Sequence, residues 1–334
     1  MTATPEAIAR EPRWRALLLA LTPDRRRVLY AFGAAILVFV VGDFLHAGFA
    51  SAASVKSILV IASFVGFVAA GQTFVILVGG IDLSVPWVLN GAAILLVTSS
   101  LGRDGRAAQA VLLTLALGLA TGLVNGIGIA YLAVPAVVMT LGMNGIMEGL
   151  TLGISKGLTC SSCASYAPKA VQDVVRTNLI GVPADLFLWL GVAVIITFLL
   201  SATSFGRRIY AIGNNDTAAS LAGIDVRLVT VVLYMLSGLF AALGGIVLVA
   251  YGGQATLGMG DPYLFQSIAA AVIGGVSILG GRGHYLGSLA GSITLVALVS
   301  VLLAENMPDW GRSVVYGGAI LVILLAYGRE RRQL

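Results

Sequence analysis

Charge is scarce in this sequence of 334 residues, because only 10% of them are Asp, Glu, Lys or Arg. An ordinary soluble domain carries about 25% of these residues. Hydrophobic residues make up 58% of the chain, and a soluble fold of this size has too much surface to bury so many. The composition therefore excludes a soluble globular domain and predicts an all-α polytopic membrane protein.

Reactive residue types are also few. The chain has two histidines and two cysteines, no Ser–His–Asp set, and no G-x-x-x-x-G-K-[ST] loop of the kind that binds ATP. These absences argue against an integral membrane enzyme and predict that the chain itself binds no cofactor. The two cysteines, Cys160 and Cys163, leave three interpretations: a loop disulfide, two structural thiols, or a metal or redox pair.

Long apolar runs are abundant, and about 20 such residues are needed to cross the hydrocarbon core of a bilayer. They predict about ten transmembrane helices, of which the third and eighth are short and could be partly re-entrant. Small residues three or four positions apart, as in LATG (119–122), GLFAALGG (238–245) and SLAGS (288–292), predict closely packed helices. The predicted spans are 28–47, 55–79, 85–101, 109–131, 135–155, 186–204, 228–251, 265–280, 286–304 and 312–328.

The placement of arginine and lysine predicts that both termini are cytoplasmic. With the N-terminus inside, the cytoplasmic segments hold thirteen of the 20 basic residues and the opposite segments hold seven, which follows the positive-inside rule. The predicted organisation is a basic cytoplasmic tail at 1–27, a single membrane domain at 28–328 and a second tail at 329–334. Two polar segments interrupt the spans, an outer loop at 156–185 and a cytoplasmic loop at 205–227.

The cytoplasmic loop contains the signals of a short helix in AIGNNDTAASLAGIDV (211–226). Asparagine and aspartate at its start offer an N-cap and an acidic first turn, and Gly223 is a natural C-cap. A helix this short is unstable by itself. It therefore either docks against a partner protein or serves as a plain connecting helix.

This segment resembles the cytoplasmic coupling loop of the sugar-type permeases of bacterial ABC importers, the ribose and xylose permease family. Three further stretches are similar to motifs of that family, in the same order along the chain. They are GGIDLSV (79–85), GLVNGIGIAYLAVPAVVMTLGMNGIMEGL (122–150) and SIAAAVIGGVSILGGRGHYLGSLAGS (267–292). The chain departs from the family at Pro86-Trp87, where Gly-Ser is usual, and at Ser220, where many members carry Arg.

The resemblance implies a type II importer permease fold with ten helices per subunit, two subunits forming the pore. It also implies a cytoplasmic ABC ATPase that uses the ATP, a periplasmic sugar-binding protein, and a second permease copy, identical or related, in the inner membrane; nothing indicates a nucleic-acid partner. The implied solute is a monosaccharide or similar polyol: a pentose, a hexose, a cyclitol or a furanose signalling molecule. The residues implied in ATPase coupling are Gly213, Asn214, Asn215, Asp216, Ala218, Leu221, Gly223 and Ile224.

Polar residues inside the apolar runs are the other candidates for function. Gly79 and Gly80 can leave helical geometry easily and Pro86 suits a first helical turn, so the chain between them predicts a broken helix. Asp82 then either caps the third helix or belongs to a gate or solute pathway, and faces the protein interior in both cases. The candidate pathway or gate residues are Gly79, Gly80, Asp82, Ser84, Asn90, Asn144 and Glu148. For Asn90, Asn144 and Glu148 the alternative is a hydrogen bond between packed helices.

One other class of transporter fits part of this pattern. An ion-coupled secondary transporter needs titratable groups inside the membrane as relays, and Asp82 and Glu148 are the two residues that qualify. This alternative predicts uptake that follows an ion gradient, without a partner ATPase.

Overall fold

The computed structural model describes residues 23–155 and 166–308, with a few positions between 310 and 318. These residues are almost entirely helical. The helices are α1 (Pro23–Leu45), α2 (Ala52–Leu77), α3 (Val85–Ser100), α4 (Ala107–Ala130), α5 (Ala136–Ser155), α6 (Lys169–Arg176), α7 (Ala184–Ala202), α8 (Ser204–Asn214), α9 (Asp216–Leu221), α10 (Val226–Gly252), α11 (Asp261–Ile273) and α12 (Tyr285–Ala304). A 3-10 turn, Asp104–Arg106, precedes α4, and β1 (Asn178–Leu179) pairs with β2 (Val182–Pro183) in an antiparallel hairpin.

Seven of the described helices are long and apolar enough to cross a membrane: α1, α2, α4, α5, α7, α10 and α12. The chain is therefore a multi-pass membrane protein. Two further predicted spans correspond to shorter helices, α3 with 16 residues and α11 with 13. The tenth predicted span, 312–328, falls almost wholly outside the described residues, as do Cys160 and Cys163. The count of ten spans and the side on which the termini lie stay predictions.

Helices α2 and α10 form the centre of the bundle and run antiparallel. The rings of Phe64 and Tyr251 lie 5.2 Å apart between centroids near one end, and those of Phe74 and Phe240 lie 6.2 Å apart towards the other. In the 18-residue apolar stretch of α2, 89% is buried, against 17% in the corresponding stretch of α1. Helix α2 is therefore surrounded by protein. We use "inner end" for the end of the bundle where α2 ends and α10 begins, which the arginine distribution predicts to be cytoplasmic.

Glycines bring α4 directly against α10. A Cβ atom at Gly122 would overlap the carbonyl oxygen of Tyr234 and lie 2.7 Å from Cα of Met235. Gly118 and Gly238 face each other in the same way, each against the other's carbonyl oxygen. Such contacts let two helix backbones approach closely, and they confirm the close packing that the spacing of small residues predicts.

The loop at 205–227, which is predicted to be cytoplasmic, contains more helix than the sequence predicts. It holds α8 as well as the short helix α9. The Oγ1 atom of Thr203 caps α8 by accepting a hydrogen bond from Gly206 N at 3.2 Å, and Ile209 and Ile212 are buried on one side of it. At the other end of the chain, α1 begins at Pro23, so the predicted tail at 1–27 runs into a helix.

The predicted span at 265–280 is wrong at both boundaries. Helix α11 begins four residues earlier, at Asp261, and ends at Ile273. It ends there because Gly275 adopts a left-handed conformation with φ +88°, which a continuing helix does not allow. The chain then forms an irregular loop from 274 to 284 at the inner end, between α11 and α12.

The described part of the predicted outer loop, from residue 166 to 185, also contains defined structure, namely α6 and the β1–β2 hairpin. The Nε atom of Arg176 in α6 donates to the carbonyl oxygen of Tyr251 at 2.8 Å. Lys56 Nζ, in the first turns of α2, donates to Gly181 O in the hairpin turn at 2.6 Å. These bonds hold the described part of the loop on the ends of α2 and α10.

Candidate functional site

The chain between α2 and α3 folds back along α2. Gly79 has φ +80°, and the following residues return into the bundle, where Gln72 Nε2 donates to Asp82 O at 2.6 Å. Helix α3 then begins with Pro86 in its first turn. The structure thus has the broken helix that the sequence predicts. Asp82 lies inside the bundle beside α2, and not at the inner surface where a count of spans would place it.

Asp82 is 1% exposed, and both of its carboxylate oxygens accept hydrogen bonds. Oδ1 accepts from the backbone N of Ser84 at 3.0 Å and from its Oγ at 2.6 Å. Oδ2 accepts from Oγ of Ser237 in α10 at 2.7 Å. The Ser84 hydroxyl in turn accepts from Nδ2 of Asn125 in α4 at 2.9 Å. A single carboxylate therefore connects the bend to α3 and α10, and through Ser84 to α4.

These contacts show how the start of α3 is held. Ser84 is the N-cap residue of α3, and its side chain forms no capping hydrogen bond. The carboxylate of Asp82 accepts from the N–H of Ser84, which precedes the first residue of the helix, so Asp82 holds the N-cap residue in place and does not cap the N–H groups of the first turn. Tyr234 in α10 is also buried here, with its hydroxyl against Gly80 and without a hydrogen-bond partner among the described residues. Buried polar groups linked in this way depend on one another, because each that loses its partner is costly to leave unsatisfied.

Asn90 connects α3 to the segment before α11. In the orientation that satisfies both halves of its amide, Asn90 donates to Thr256 O at 3.0 Å and accepts from Gly258 N at 2.7 Å. Two residues later, a Cβ atom at Gly260 would overlap the carbonyl oxygen of Pro86. Helices α3 and α11 therefore begin next to each other inside the bundle.

Asn144 and Glu148 are separate from this network. They lie four residues apart on α5, half-buried, and neither forms a hydrogen bond or ion pair with another residue that the structure describes. Met143 and Met147 pack α5 against α3. On the opposite face, four exposed glycines have no atom within 4 Å of where a Cβ would stand: Gly142, Gly145, Gly149 and Gly153.

A small crevice lies between α3, α4 and α5, near Gly91 and Thr151, with a volume of about 50 Å³. Sites that enclose small organic molecules usually measure several hundred Å³. The crevice is therefore too small to hold a monosaccharide. Among residues 23–155 and 166–308, no group of three or more His, Cys, Asp or Glu side chains is placed to hold a metal ion.

Helix α9 lies at the inner end, and all of its residues except Ala219 are exposed. Asn215 Oδ1 caps it by accepting from Ala218 N at 2.9 Å, and Gly223 follows its last turn with φ +84°. Both features match the predicted caps. Ala219 is buried beneath the helix, whereas the side chain of Leu221 is 86% exposed. The structure thus fixes a short helix so that it presents an apolar side chain outward.

The eight predicted coupling residues divide into two groups by exposure. Gly213 and Ile224 are half-buried and face the rest of the protein. The exposed residues of the set are Asn214, Asn215, Asp216, Ala218, Leu221 and Gly223.

Two residues of these regions are missing from the sequence prediction. Ser237 binds Asp82, and Tyr210 in α8 donates through Oη to Gly283 O at 2.7 Å. The sequence carries no local signal for either contact, because the partners lie 155 and 73 residues apart.

Together, the apolar bundle, the buried polar bend and the capped helix at the inner end define the class of protein: a multi-pass membrane permease. Comparison with known proteins identifies the family. Residues 54–324 match the family described as "Branched-chain amino acid transport system / permease component", and the chain belongs to it.

Curated relatives cover nearly the whole chain. The autoinducer 2 import system permease protein LsrC of Escherichia coli (strain K12 / DH10B) is 32% identical over 92% of this chain and 89% of its own. LsrC of Shigella flexneri gives the same values, and LsrC of Salmonella paratyphi B is 31% identical over 92% and 88%. No solved structure matches significantly. These findings confirm the resemblance to sugar-type permeases of ABC importers and do not favour the ion-coupled alternative.

Proposed function

We propose that this chain is the membrane subunit through which an ABC importer moves a monosaccharide or a similar polyol across the inner membrane by alternating access. Both termini lie in the cytoplasm in this proposal, and ATP is bound and hydrolysed by a separate ATPase. The observation that carries the proposal is α9. It is capped at both ends, too short to be stable alone, and presents Leu221 with 86% of its side chain exposed at the inner end.

The arrangement of α9 suits a coupling element. An apolar side chain on a helix of fixed orientation can fill a pocket on a partner, where buried anchors supply most of the binding energy. Motion of an ATPase pair bound at α9 would then move α8, which is joined to α9 by Asn215 alone. Such coupling requires that the ATPase bind the two states of the permease with different affinity.

A second permease copy is part of the proposal, and α5 supports it. Only 22% of its 18-residue apolar stretch is buried within the chain. Its exposed glycines leave room for the backbone of another helix. The crevice beside α5 is too small for a sugar. A pathway of sufficient width would form where two copies meet, lined by α5 with Asn144 and Glu148 at its edge.

An outer binding protein would dock at the opposite end of the bundle. Ile180, in the turn of the β1–β2 hairpin, is 97% exposed and adopts φ +54°. A β-branched residue rarely adopts this conformation, because its side chain is strained there. An exposed apolar residue held in a strained turn supports a contact with a protein on this side.

The proposed solute class rests on the family and its relatives. The relatives are named for the import of autoinducer 2, which makes it the first solute to test, and the resemblance to sugar permeases adds ribose and xylose. All three are small polyhydroxylated molecules, and this is the solute class that we propose.

The test of the proposal is the affinity of the purified permease for its ATPase, with and without Leu221→Ala. Removing most of a buried leucine side chain costs about 2 kcal/mol, so we expect binding to weaken roughly thirtyfold. The matched control is Leu45→Ala, at the outer end of α1, where the leucine is 51% exposed and binding should not change. Equal affinity of native and Leu221→Ala permease would contradict the role of α9.

A further inference from the structure

Three segments that are distant in sequence meet at the inner end of the bundle, backbone against backbone. Gly281, in the loop between α11 and α12, donates its N–H to the carbonyl oxygen of Leu77, the last residue of α2, at 2.8 Å. Gly213, in the last turn of α8, packs directly against the two atoms of this hydrogen bond. A Cβ atom at Gly213 would overlap both Leu77 O and Gly281 N. We term Leu77, Gly213 and Gly281 the inner glycine junction.

The junction has no room for adjustment. The atoms that a side chain at Gly213 would meet belong to the backbone, so a rotamer change cannot relieve the overlap. On the loop side, Gly280 has φ +86°, and a Cβ there would lie 2.9 Å from Gly213 O and 3.0 Å from Gly79 N. Glycine is needed on both sides of the contact. Gly280 and Gly281 both adopt a left-handed conformation, and Gly213 leaves no room for a Cβ atom.

Side-chain hydrogen bonds tie α8 to the same loop. Tyr210 Oη donates to Gly283 O at 2.7 Å, and Asn214 Nδ2 donates to Gly281 O at 3.4 Å. A Cβ at Gly281 would lie 2.7 Å from Oδ1 of Asn214. The last turns of α8 are thus bound to the loop through both backbone and side chains.

The junction leads directly to the buried network around Asp82. Leu77 is followed at once by the bend at 78–84, whose Asp82 binds α2 through Gln72 and α10 through Ser237. A displacement of the end of α8 would therefore act on the end of α2 and on the bend. From the bend, the hydrogen bonds of Asp82 reach α10 and the start of α3.

We propose that Gly213 is a positioning residue for transport: it transmits movement from α9 to the Asp82 bend through the inner glycine junction, and does not bind the ATPase itself. This inference rests on the proposed function of α9 as the coupling element. It assigns Gly213, predicted from sequence as one of eight equivalent coupling residues, a role distinct from that of exposed Leu221.

The test is Gly213→Ala in the complete complex of permease, ATPase and binding protein, reconstituted in liposomes with ribose, xylose and autoinducer 2 as solutes. The measured quantity is the number of solute molecules imported per ATP hydrolysed. We expect this ratio to fall at least fivefold, because the added methyl group separates α8 from α2. The matched control is Gly252→Ala, at the end of α10, where a Cβ meets no atom within 4 Å and the ratio should stay within twofold of the native value.

Tyr210→Phe is the second variant, because it removes one bond of α8 to the loop without adding an atom. We expect it to lower the same ratio two- to fivefold, and it decides the matter if Gly213→Ala yields no intact complex. A native ratio in the tested variant would overturn the role of the junction. A native complex without solute-stimulated hydrolysis would instead contradict the proposed function, so the two failures are distinguishable.

Discussion

Glycines in two regions of this protein have opposite surroundings. Along α4, Gly118 and Gly122 are pressed against the backbone of α10, and an added Cβ would overlap a carbonyl oxygen at each. Along α5, Gly142, Gly145 and Gly149 have no atom within 4 Å of the same position. Both sets lie at helical spacing in apolar sequence, and both are typical of close helix packing.

The difference indicates which part of the molecule is complete within one chain. Helices α4 and α10 pack directly against each other and form a closed region. Both helices also form hydrogen bonds with the bend that carries Asp82. The glycine face of α5 is open and available to another helix. The closed region determines stability, whereas the open region is where we place the second permease copy and the solute pathway.

The largest expected effect comes from a large side chain in the closed region. We expect Gly122→Leu to abolish recovery of folded protein in detergent, because the leucine would have to displace the backbone of α10 at Tyr234. Gly145→Leu is the matched change in the open region, and the folded yield of that variant should equal the native yield. Size-exclusion chromatography of the solubilised chain measures both, and equal yields of the two variants would remove the distinction.

An intermediate effect is expected at Asp82. Asp82→Ala leaves buried donors on Ser84 and Ser237 without an acceptor, which costs about 2 kcal/mol in the free energy of unfolding. Asp82→Asn retains one acceptor oxygen and should cost about half of this. Thermal unfolding measures both.

Transport by the Asp82→Asn variant separates the two roles that the sequence leaves open for this residue. If Asp82 only holds the bend and the start of α3 in place, the folded variant imports solute at the native rate. A folded variant that imports none would assign Asp82 to the gate or pathway.

The smallest effect on stability is expected at Glu148, which forms no ion pair within the described residues. We expect Glu148→Gln to change the free energy of unfolding by less than about 0.5 kcal/mol but to lower the rate of solute uptake, because the residue borders the open face of α5. Uptake into liposomes is the measurement. An unchanged rate of uptake would place Glu148 outside the pathway.

The parts of the structure that depend on neighbouring residues could be predicted from the sequence. The caps of α9 follow from Asn215 and Gly223, since a cap is made within a few residues of the helix end. The broken helix follows from Gly79, Gly80 and Pro86 for the same reason. Helix α8 could also have been found, because half-buried Phe205 and buried Ile209 and Ile212 recur at helical spacing on one side of it.

The contacts that connect these elements could not be predicted. Ser237 is 155 residues from Asp82, and Gly281 meets Leu77 and Gly213 only because three chain segments end at the same point of the bundle. Glycine spacing predicts close packing but does not name the partner helix. It therefore could not distinguish α4, which has a partner in this chain, from α5, whose glycine face has none among the described residues.

The most direct test of the account is solute uptake by liposomes that contain the permease, its ATPase and its binding protein. The solutes are autoinducer 2, ribose and xylose. The energy source is ATP inside the liposomes, ATP outside them, or an imposed ion gradient. The account predicts uptake of one of these solutes that requires ATP on the ATPase side, is stimulated by the binding protein, and persists when ion gradients are collapsed. Uptake that follows an ion gradient without the ATPase would contradict it, and would make Asp82 and Glu148 the groups that couple transport to the ion.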